Sequence, residues 1–262
     1  MKIRKVIVLM LFCLSLSGIA SAQIMDRTIV QKKDTLATIP YCAFSLGWTF
    51  PYGEMGRRYE PFMDLGFDIG VKTRSNWVFN ANFGFQFATD NVKIKNEILK
   101  DIMTTGNDPF LIGEGGTNAG VVASNRNLSG KVAVGKVFPL GIFNSNSGLL
   151  VSLGAGYLQH QIVYSTSSEK AHQLEGDYRR LYDRQMRGPM VSGFIGYMYF
   201  GKYSFANFYI GLQFDQAWTQ MTRKYQADLR SGDTKVYSDR MITLKAAWIF
   251  QFYNPTSQRI YY

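Results

Sequence analysis

Residues 63–87 read MDLGFDIGVKTRSNWVFNANFGFQF. Met63, Leu65, Phe67, Ile69 and Val71 occupy alternate positions, with Asp64, Gly66, Asp68, Gly70 and Lys72 between them. After a break at Ser75-Asn76 the alternation resumes: Trp77, Phe79, Ala81, Phe83, Phe85 and Phe87 are set against Asn80, Asn82, Gly84 and Gln86. Successive strand side chains point to opposite faces, so a period of two sustained this long predicts two strands joined by a tight turn. Each strand has one apolar and one polar face.

The same pattern recurs on both sides of this hairpin. Phe44, Leu46, Trp48 and Phe50 alternate with Ser45, Gly47 and Thr49. Residues 149–157 alternate with Ser152, Gly154 and Gly156 on the polar face. Phe208, Ile210, Leu212 and Phe214 oppose Gly211, Gln213 and Asp215, and Ile242, Leu244, Ala246, Trp248, Phe250 and Phe252 oppose Thr243, Lys245 and Gln251. Two further runs are less regular. Val132 and Val134 oppose Lys131, Ala133 and Gly135, but Lys136 falls on the apolar face, where a lysine can snorkel to a membrane surface. Residues 191–200 are apolar on both faces, which leaves their outward side open. The count is eight strands. Short turns at 75–76, 144–147 and 202–206 alternate with long connections at 52–61, 92–127, 168–190 and 229–240.

Glycine decides which face points outward. Gly47, Gly66, Gly70, Gly84, Gly154, Gly156 and Gly211 all lie on the polar faces. Glycine weakens an exposed strand but fits where side chains converge, and the interior of an eight-stranded barrel is that narrow. The polar face therefore points in and the aromatic face points to lipid, the reverse of a soluble barrel. Charged residues make up 18%, below the roughly 25% of a soluble domain, while aromatics reach 15%. With no long apolar run after the N-terminus, a membrane-spanning chain must close its strands into a barrel, because an open edge would leave backbone groups unpaired in hydrocarbon. Trp77, Trp248 and Tyr157 are candidates for the interfacial aromatic girdle. The expected fold is all-β: a transmembrane antiparallel up-and-down β-barrel of eight strands with long outer loops.

The N-terminus reads as an export signal. Lys2, Arg4 and Lys5 precede an apolar run, and Ala20 and Ala22 stand in A-x-A positions before Gln23. The expected organisation is a cleaved signal peptide at 1–22, a periplasmic segment at 23–40, the barrel at 41–255 and a tail at 256–262. Cleavage removes three bases, lowering the formal charge from +10 to +7, and leaves Cys42 without a second cysteine, so no internal disulfide is expected. With His160 and His172 the only histidines, no metal site is expected, and no cofactor. Gly113-Glu114-Gly115-Gly116 lacks the Gly-Lys-Ser/Thr ending of a phosphate-binding loop. The location expected is the bacterial outer membrane. The anionic partners of this basic, exported chain would be outer-membrane lipid and lipopolysaccharide or acidic surfaces, not nucleic acid.

The signal, strands such as 79–87 and 242–252, and the short-turn, long-loop rhythm resemble the small outer-membrane barrels of the OmpA and OmpX type. The likeness is one of pattern over about residues 41–255, with neither a peptidoglycan-binding domain nor the terminal phenylalanine frequent in that group. The density of Phe, Tyr and Asn resembles barrels of Bacteroidota-type bacteria, a group that also uses small barrels in its type IX secretion apparatus.

Several constellations carry possible chemistry. If the parity holds, the lumen receives Asp64, Asp68, Lys72, Gln86, Lys131, Asp215 and Lys245. A filled ion-pair network is the favoured reading, with Asp64 and Asp68 finding counter-charges among Lys72, Lys131 and Lys245; a selective pore is the rival. Ser167, Ser168, His172, Glu175, Asp177 and Asp183 have the residue types of a hydrolase, but a triad is defined by geometry, and a solvated loop is favoured. Arg57, Arg58, Tyr178, Arg179, Arg180, Tyr182, Arg184 and Arg187 are candidates for outer-loop binding, because arginine beside aromatic residues suits both interface hot spots and phosphate. Arg223, Lys224 and Arg230 add basic character near the last loop. Ile94, Ile98 and Ile102 recur at four-residue spacing beside Leu99, which predicts a short amphipathic helix over 92–103. Such a helix suits the membrane surface, the barrel mouth or a partner. The chain reads as a monomeric, non-enzymatic barrel acting through its outer loops in adhesion, envelope integrity or complex formation, including secretion. A small-solute channel is the alternative and an outer-membrane lipid-modifying enzyme the second.

Overall fold

The computed structural model describes residues 36–106, 108–141, 144–201 and 207–252. The expected signal peptide, most of the 23–40 segment and the 256–262 tail lie outside the described residues. Strands β1 (Ile39–Tyr52), β2 (Phe62–Lys72), β3 (Trp77–Phe87), β4 (Val121–Pro139), β5 (Gly148–Thr166), β6 (Met186–Phe200), β7 (Asn207–Met221) and β8 (Val236–Gln251) pair antiparallel in chain order. β1 pairs with β8 from Tyr41↔Gln251 to Tyr52↔Arg240, closing the barrel. The fold is a closed, eight-stranded, up-and-down barrel. Ile39 and Pro40 already belong to β1. The β2–β3 turn is locked by Asn76, whose amide donates to the Thr73 carbonyl at 3.0 Å and whose φ is 64°, a left-handed conformation that asparagine tolerates.

Alternation sorts the side chains as the period predicts. Phe83 is 61% exposed and Leu153 71%, while Asn82 and Gln86 on β3 are buried. All four tryptophans, Trp48, Trp77, Trp218 and Trp248, face outward. Lys136 also faces outward, with its Nζ 5.4 Å from the centre of the Trp77 ring, so its charge is held at an aromatic interface. The ambiguous sixth strand resolves: Arg187, Val191 and Ile195 face out, and Met186, Met190, Ser192 and Met198 face in. Phe194, on the same inward parity, lies across the interior against Tyr209. It fits because its neighbours are glycines: a Cβ on Gly196 would sit 2.7 Å from the Phe194 ring, and one on Gly211 2.8 Å.

The strands run past the apolar belt at the long-loop end, and this corrects three loop boundaries. Residues 121–127 belong to β4 and pair with 160–166 of β5, residues 186–190 belong to β6, and residues 236–240 belong to β8. Arg187 is therefore a strand residue and not a loop residue. Above the lipid, strands no longer need an apolar face, so Val-Val-Ala-Ser-Asn-Arg-Asn carries no period to betray it. The β4 extension outruns β3, and the loop side chains of Asp90 and Asn91 cover its free edge, accepting from the amides of Ala123 (3.3 Å) and Asn125 (3.0 Å).

We expect Phe83→Arg to impair folding into phospholipid vesicles by roughly 2–4 kcal/mol, the cost of arginine near the middle of a barrel's lipid face. Phe83→Leu should be near neutral. Folding titrations read by heat-modifiable gel shift measure both, and equal behaviour of the two variants would contradict the outward assignment.

Candidate functional site: a filled barrel under a loop dome

The interior is stratified. At the short-turn end Ile39, Tyr41, Val78, Val137, Leu150, Met198, Phe200, Tyr209 and Ile249 form a buried apolar cluster. The middle layer is polar. Lys131 pairs with Asp215 at 3.5 Å and Lys245 with Asp68 at 3.8 Å, all four side chains being nearly inaccessible. Tyr209 donates to Asp68 Oδ2 at 2.9 Å and Asn80 to its Oδ1 at 3.2 Å, while Gln213 Nε2 donates to Asp215 at 2.5 Å. Asn127 donates to Gln86 at 3.2 Å, and the Thr49 and Thr243 hydroxyls lie 2.8 Å apart.

Of the remaining expected lumen residues, Asp64 belongs to this layer and Lys72 does not. Asp64 is buried opposite Gln86 in the β2–β3 register and makes no ion pair within 4.0 Å among the described residues. Lys72 is not part of the carboxylate network: it lies at the short-turn end, where its Nζ donates to Asn146 Oδ1 at 3.0 Å. The strand carrying Asp64, Asp68 and Lys72 places them at different depths, and the period of two reports face but not depth.

At the other end a second apolar cluster spans the barrel mouth and the loops. Phe62, Leu158, Met190, Ala217 and Met241 from the strands meet Met55, Tyr59, Val92, Ile98, Leu99, Leu111, Leu174 and Tyr182 from the connections. Helix α1 (Gly53–Arg58) and helix α2 (Lys95–Leu99) supply Met55, Ile98 and Leu99, each fully buried. Ile94 and Ile102 pack against the same cluster, so the apolar stripe of 92–103 caps the mouth.

Directly beneath, Tyr59 reaches into the barrel. Its hydroxyl lies 3.1 Å from His160 Nδ1, and His160 Nε2 lies 3.1 Å from Asp239 Oδ2, which also accepts from the Thr219 hydroxyl. Burial pushes the Tyr59 hydroxyl well above the ordinary tyrosine range, so it stays protonated and neutral. The imidazole thus bridges a neutral hydroxyl and a carboxylate. Tyr59, His160, Thr219 and Asp239 are all buried, and this relay fastens the first loop to the barrel wall. Sequence reasoning missed it, because its members come from the first loop, β5, β7 and β8.

Ion pairs join the remaining connections. Arg223 forks onto Asp183 through contacts of 3.1 and 2.5 Å, and Arg184 pairs with Asp228, tying the third loop to the fourth from both sides. Arg230 reaches Asp101 at 3.7 Å, and His172 lies 2.5 Å from Glu114 and 3.4 Å from Glu175. The hydrolase types are thus dispersed. Ser167 donates to the Gly120 carbonyl at 2.9 Å and Asp183 is taken by Arg223, so among the described residues no serine joins the His172 cluster.

The outer-loop candidates divide. Arg58 is buried 4.4 Å over the Tyr237 ring, Tyr182 is buried in the mouth cluster, and Arg184 is neutralised by Asp228; these three hold the dome together and are not surface groups. Arg57, Tyr178, Arg179, Arg180 and Arg187 are exposed, with Tyr178 at 66%.

No family model and no curated protein matches the chain. Among solved structures it is similar to Ail, the attachment invasion locus protein of Yersinia pestis, in complex with the heparin analogue sucrose octasulfate. The identity is 10% over 82% of this chain and 99% of that one, with a TM-score of 0.39. It is also similar to the outer membrane protein OprG from Pseudomonas aeruginosa (12% identity, 84% and 99% covered, TM-score 0.38). A major outer membrane protein from Thermus thermophilus is a third (14% identity, 80% and 99% covered, TM-score 0.36).

The middle layer is testable by a double-mutant cycle. Lys131→Met and Asp215→Asn should each destabilise the folded barrel by roughly 3–5 kcal/mol, because each strands a buried charge. The double variant should lose clearly less than the sum. Urea unfolding in vesicles measures the coupling, and additive losses would mean that the two groups do not interact.

Proposed function

We propose that this chain is exported to the outer membrane of a bacterium and works there as a non-conducting barrel that binds a partner through its loop dome. The observation that carries this reading is the contrast between the two parts. Apolar clusters fill the described interior at both ends of an ion-paired middle layer, whereas the surface of the dome presents exposed groups on an ordered support. Tyr178, Arg179 and Arg180 follow one another on a 3-10 turn, Tyr178–Leu181. The turn is held from below by the Ala227 amide donating to Leu181 O at 3.0 Å and by Gln226 Nε2 donating to Arg180 O at 3.2 Å. Among the described residues only Asp177, itself exposed, neutralises Arg180, at 3.3 Å. A rigidly mounted tyrosine beside basic groups loses little entropy on binding, and such residues are enriched at interface hot spots.

Adhesion and assembly into an envelope complex, including a secretion apparatus, both fit this surface, with an acidic partner surface as its electrostatic complement. The export signal formed by Lys2, Arg4, Lys5 and the apolar run after them supports the location. The buried relay is sealed from solvent, and Ser167 in the exposed loop is engaged with the Gly120 carbonyl and not with His172, which favours binding over chemistry.

Two measurements test the reading. The purified full chain should show no steady conductance in planar bilayers, and a steady single-channel current would return the channel reading. Combining Tyr178→Ala with Arg179→Ala and Arg180→Ala should weaken capture of a co-purifying partner by about tenfold or more, as loss of a hot spot does, while leaving the heat-modifiable gel shift intact. A complex that survives those changes would remove the dome from consideration.

A further inference from the structure

Above the apolar belt, the outer wall of β6, β7 and β8 carries two arginines that face away from the barrel. Arg187 stands between buried Met186 and Gly188 on β6, and Arg240 between buried Asp239 and Met241 on β8; both are exposed. Between them on β7 lies Trp218, 45% exposed, flanked on the same face by Gln216 and Gln220. The register fixes their neighbourhood. Arg187 is opposite Gln220, Arg240 is opposite Gln216, and Tyr52 of β1 flanks Arg240 on its other side. Directly below begins the lipid-facing wall of Val191, Phe214, Leu212 and Leu244.

Neither arginine is neutralised. Arg240 Nε donates to the neutral Gln216 Oε1 at 2.9 Å, and neither guanidinium pairs with a carboxylate among the described residues. Every outward position of β6, β7 and β8 is free of Asp and Glu. Three other arginines near the loop end are satisfied within the chain. Arg184 and Arg223 are paired with carboxylates, and Arg126, on the opposite wall, gives its Nη1 to the carbonyls of Ala88 (2.8 Å) and Asn125 (2.7 Å). An arginine on a barrel's lipid face is tolerated only near the interface, where headgroups begin, and tryptophan marks that same level. A guanidinium with free donors there matches phosphate in both charge and fork geometry.

We propose that Arg187 and Arg240, on either side of Trp218, clamp the phosphorylated headgroup of an outer-leaflet glycolipid whose acyl chains lie down the β6–β8 wall. The site is one-sided, so bound lipid distinguishes one wall of the barrel from the other. This inference rests on the outer-membrane reading above but is independent of the dome.

The test uses the full chain folded into phosphatidylcholine nanodiscs doped with bisphosphorylated lipid A or with its dephosphorylated form, the bound lipid being counted by native mass spectrometry. The wild type should retain the phosphorylated form preferentially. Combining Arg187→Gln with Arg240→Gln should cut that retention by about tenfold or more, Lys at both positions should restore part of it, and Lys136→Gln at the short-turn end should leave it unchanged. Equal retention by the double Gln variant, or of lipid A without its phosphates, overturns the clamp while leaving the outer-membrane reading in place. Failure of the wild type to insert into any bilayer overturns both.

Discussion

The pairing of β1 with β8 is the constraint on which everything else depends. Twelve residues of β1, Tyr41 to Tyr52, find partners on β8, and with that seam closed no strand in the sheet has a free side within the belt. Closure satisfies the backbone, which frees the outer face to be wholly apolar: hydrocarbon supplies no hydrogen bonds, but none are needed. Closure at eight strands also fixes a narrow interior. Gly66 faces Ser45 and Gly84 faces Ser129 so closely that a Cβ at either glycine would displace the serine hydroxyl. The glycines of the polar face are therefore a consequence of the barrel's diameter.

A narrow interior has to be filled, and its contents change with depth. In the middle, charges of both signs are brought together: the Lys245 ammonium lies 3.5 Å from where a Cβ of Gly66 would stand, so that glycine leaves room for the lysine to reach Asp68. Buried charges without partners would be costly, so the network's value lies as much in avoiding stranded charges as in attraction. At both ends the strategy reverses to apolar packing. Tyr41, Met198 and Ile249 are inward residues of strands whose inward face is polar a few positions further on. The interior is thus neither a polar lumen nor an ordinary core but one layered between two apolar seals.

The dome follows from strands longer than the membrane requires. β4 and β5 pair over their full nineteen residues, and their upper halves form a wall beyond the lipid. Ile162, Tyr164 and Leu158 on that wall give the loops something apolar to fold against, which is why α2 buries Ile98 and Leu99 completely. The ion pairs Arg184–Asp228 and Arg223–Asp183 then fix loops to each other where apolar contact ends. These arginines look like binding residues in a sequence and are structural in the fold; the groups left for recognition are those the dome has no use for, such as Tyr178 and Arg179 on its top and Arg240 on the wall below.

The sequence by itself determined the strand number, the face of nearly every strand and the orientation of the barrel toward lipid, because alternation is a local property and glycine placement reports interior crowding residue by residue. It also marked the helical stripe through Ile94, Ile98 and Ile102. Only the tertiary structure decided the rest. The sixth strand is apolar on both faces, and its outward side followed from pairing with β5 and β7. The upper strand extensions were hidden because no lipid imposes a period on them. The His160–Asp239 relay, the displacement of Lys72 from the carboxylates and the burial of Arg58 and Tyr182 depend on contacts between residues as much as 79 to 128 positions apart. A period of two says which way a side chain points; depth along the barrel and the partner met there are set by register between strands, and that is information no single strand contains.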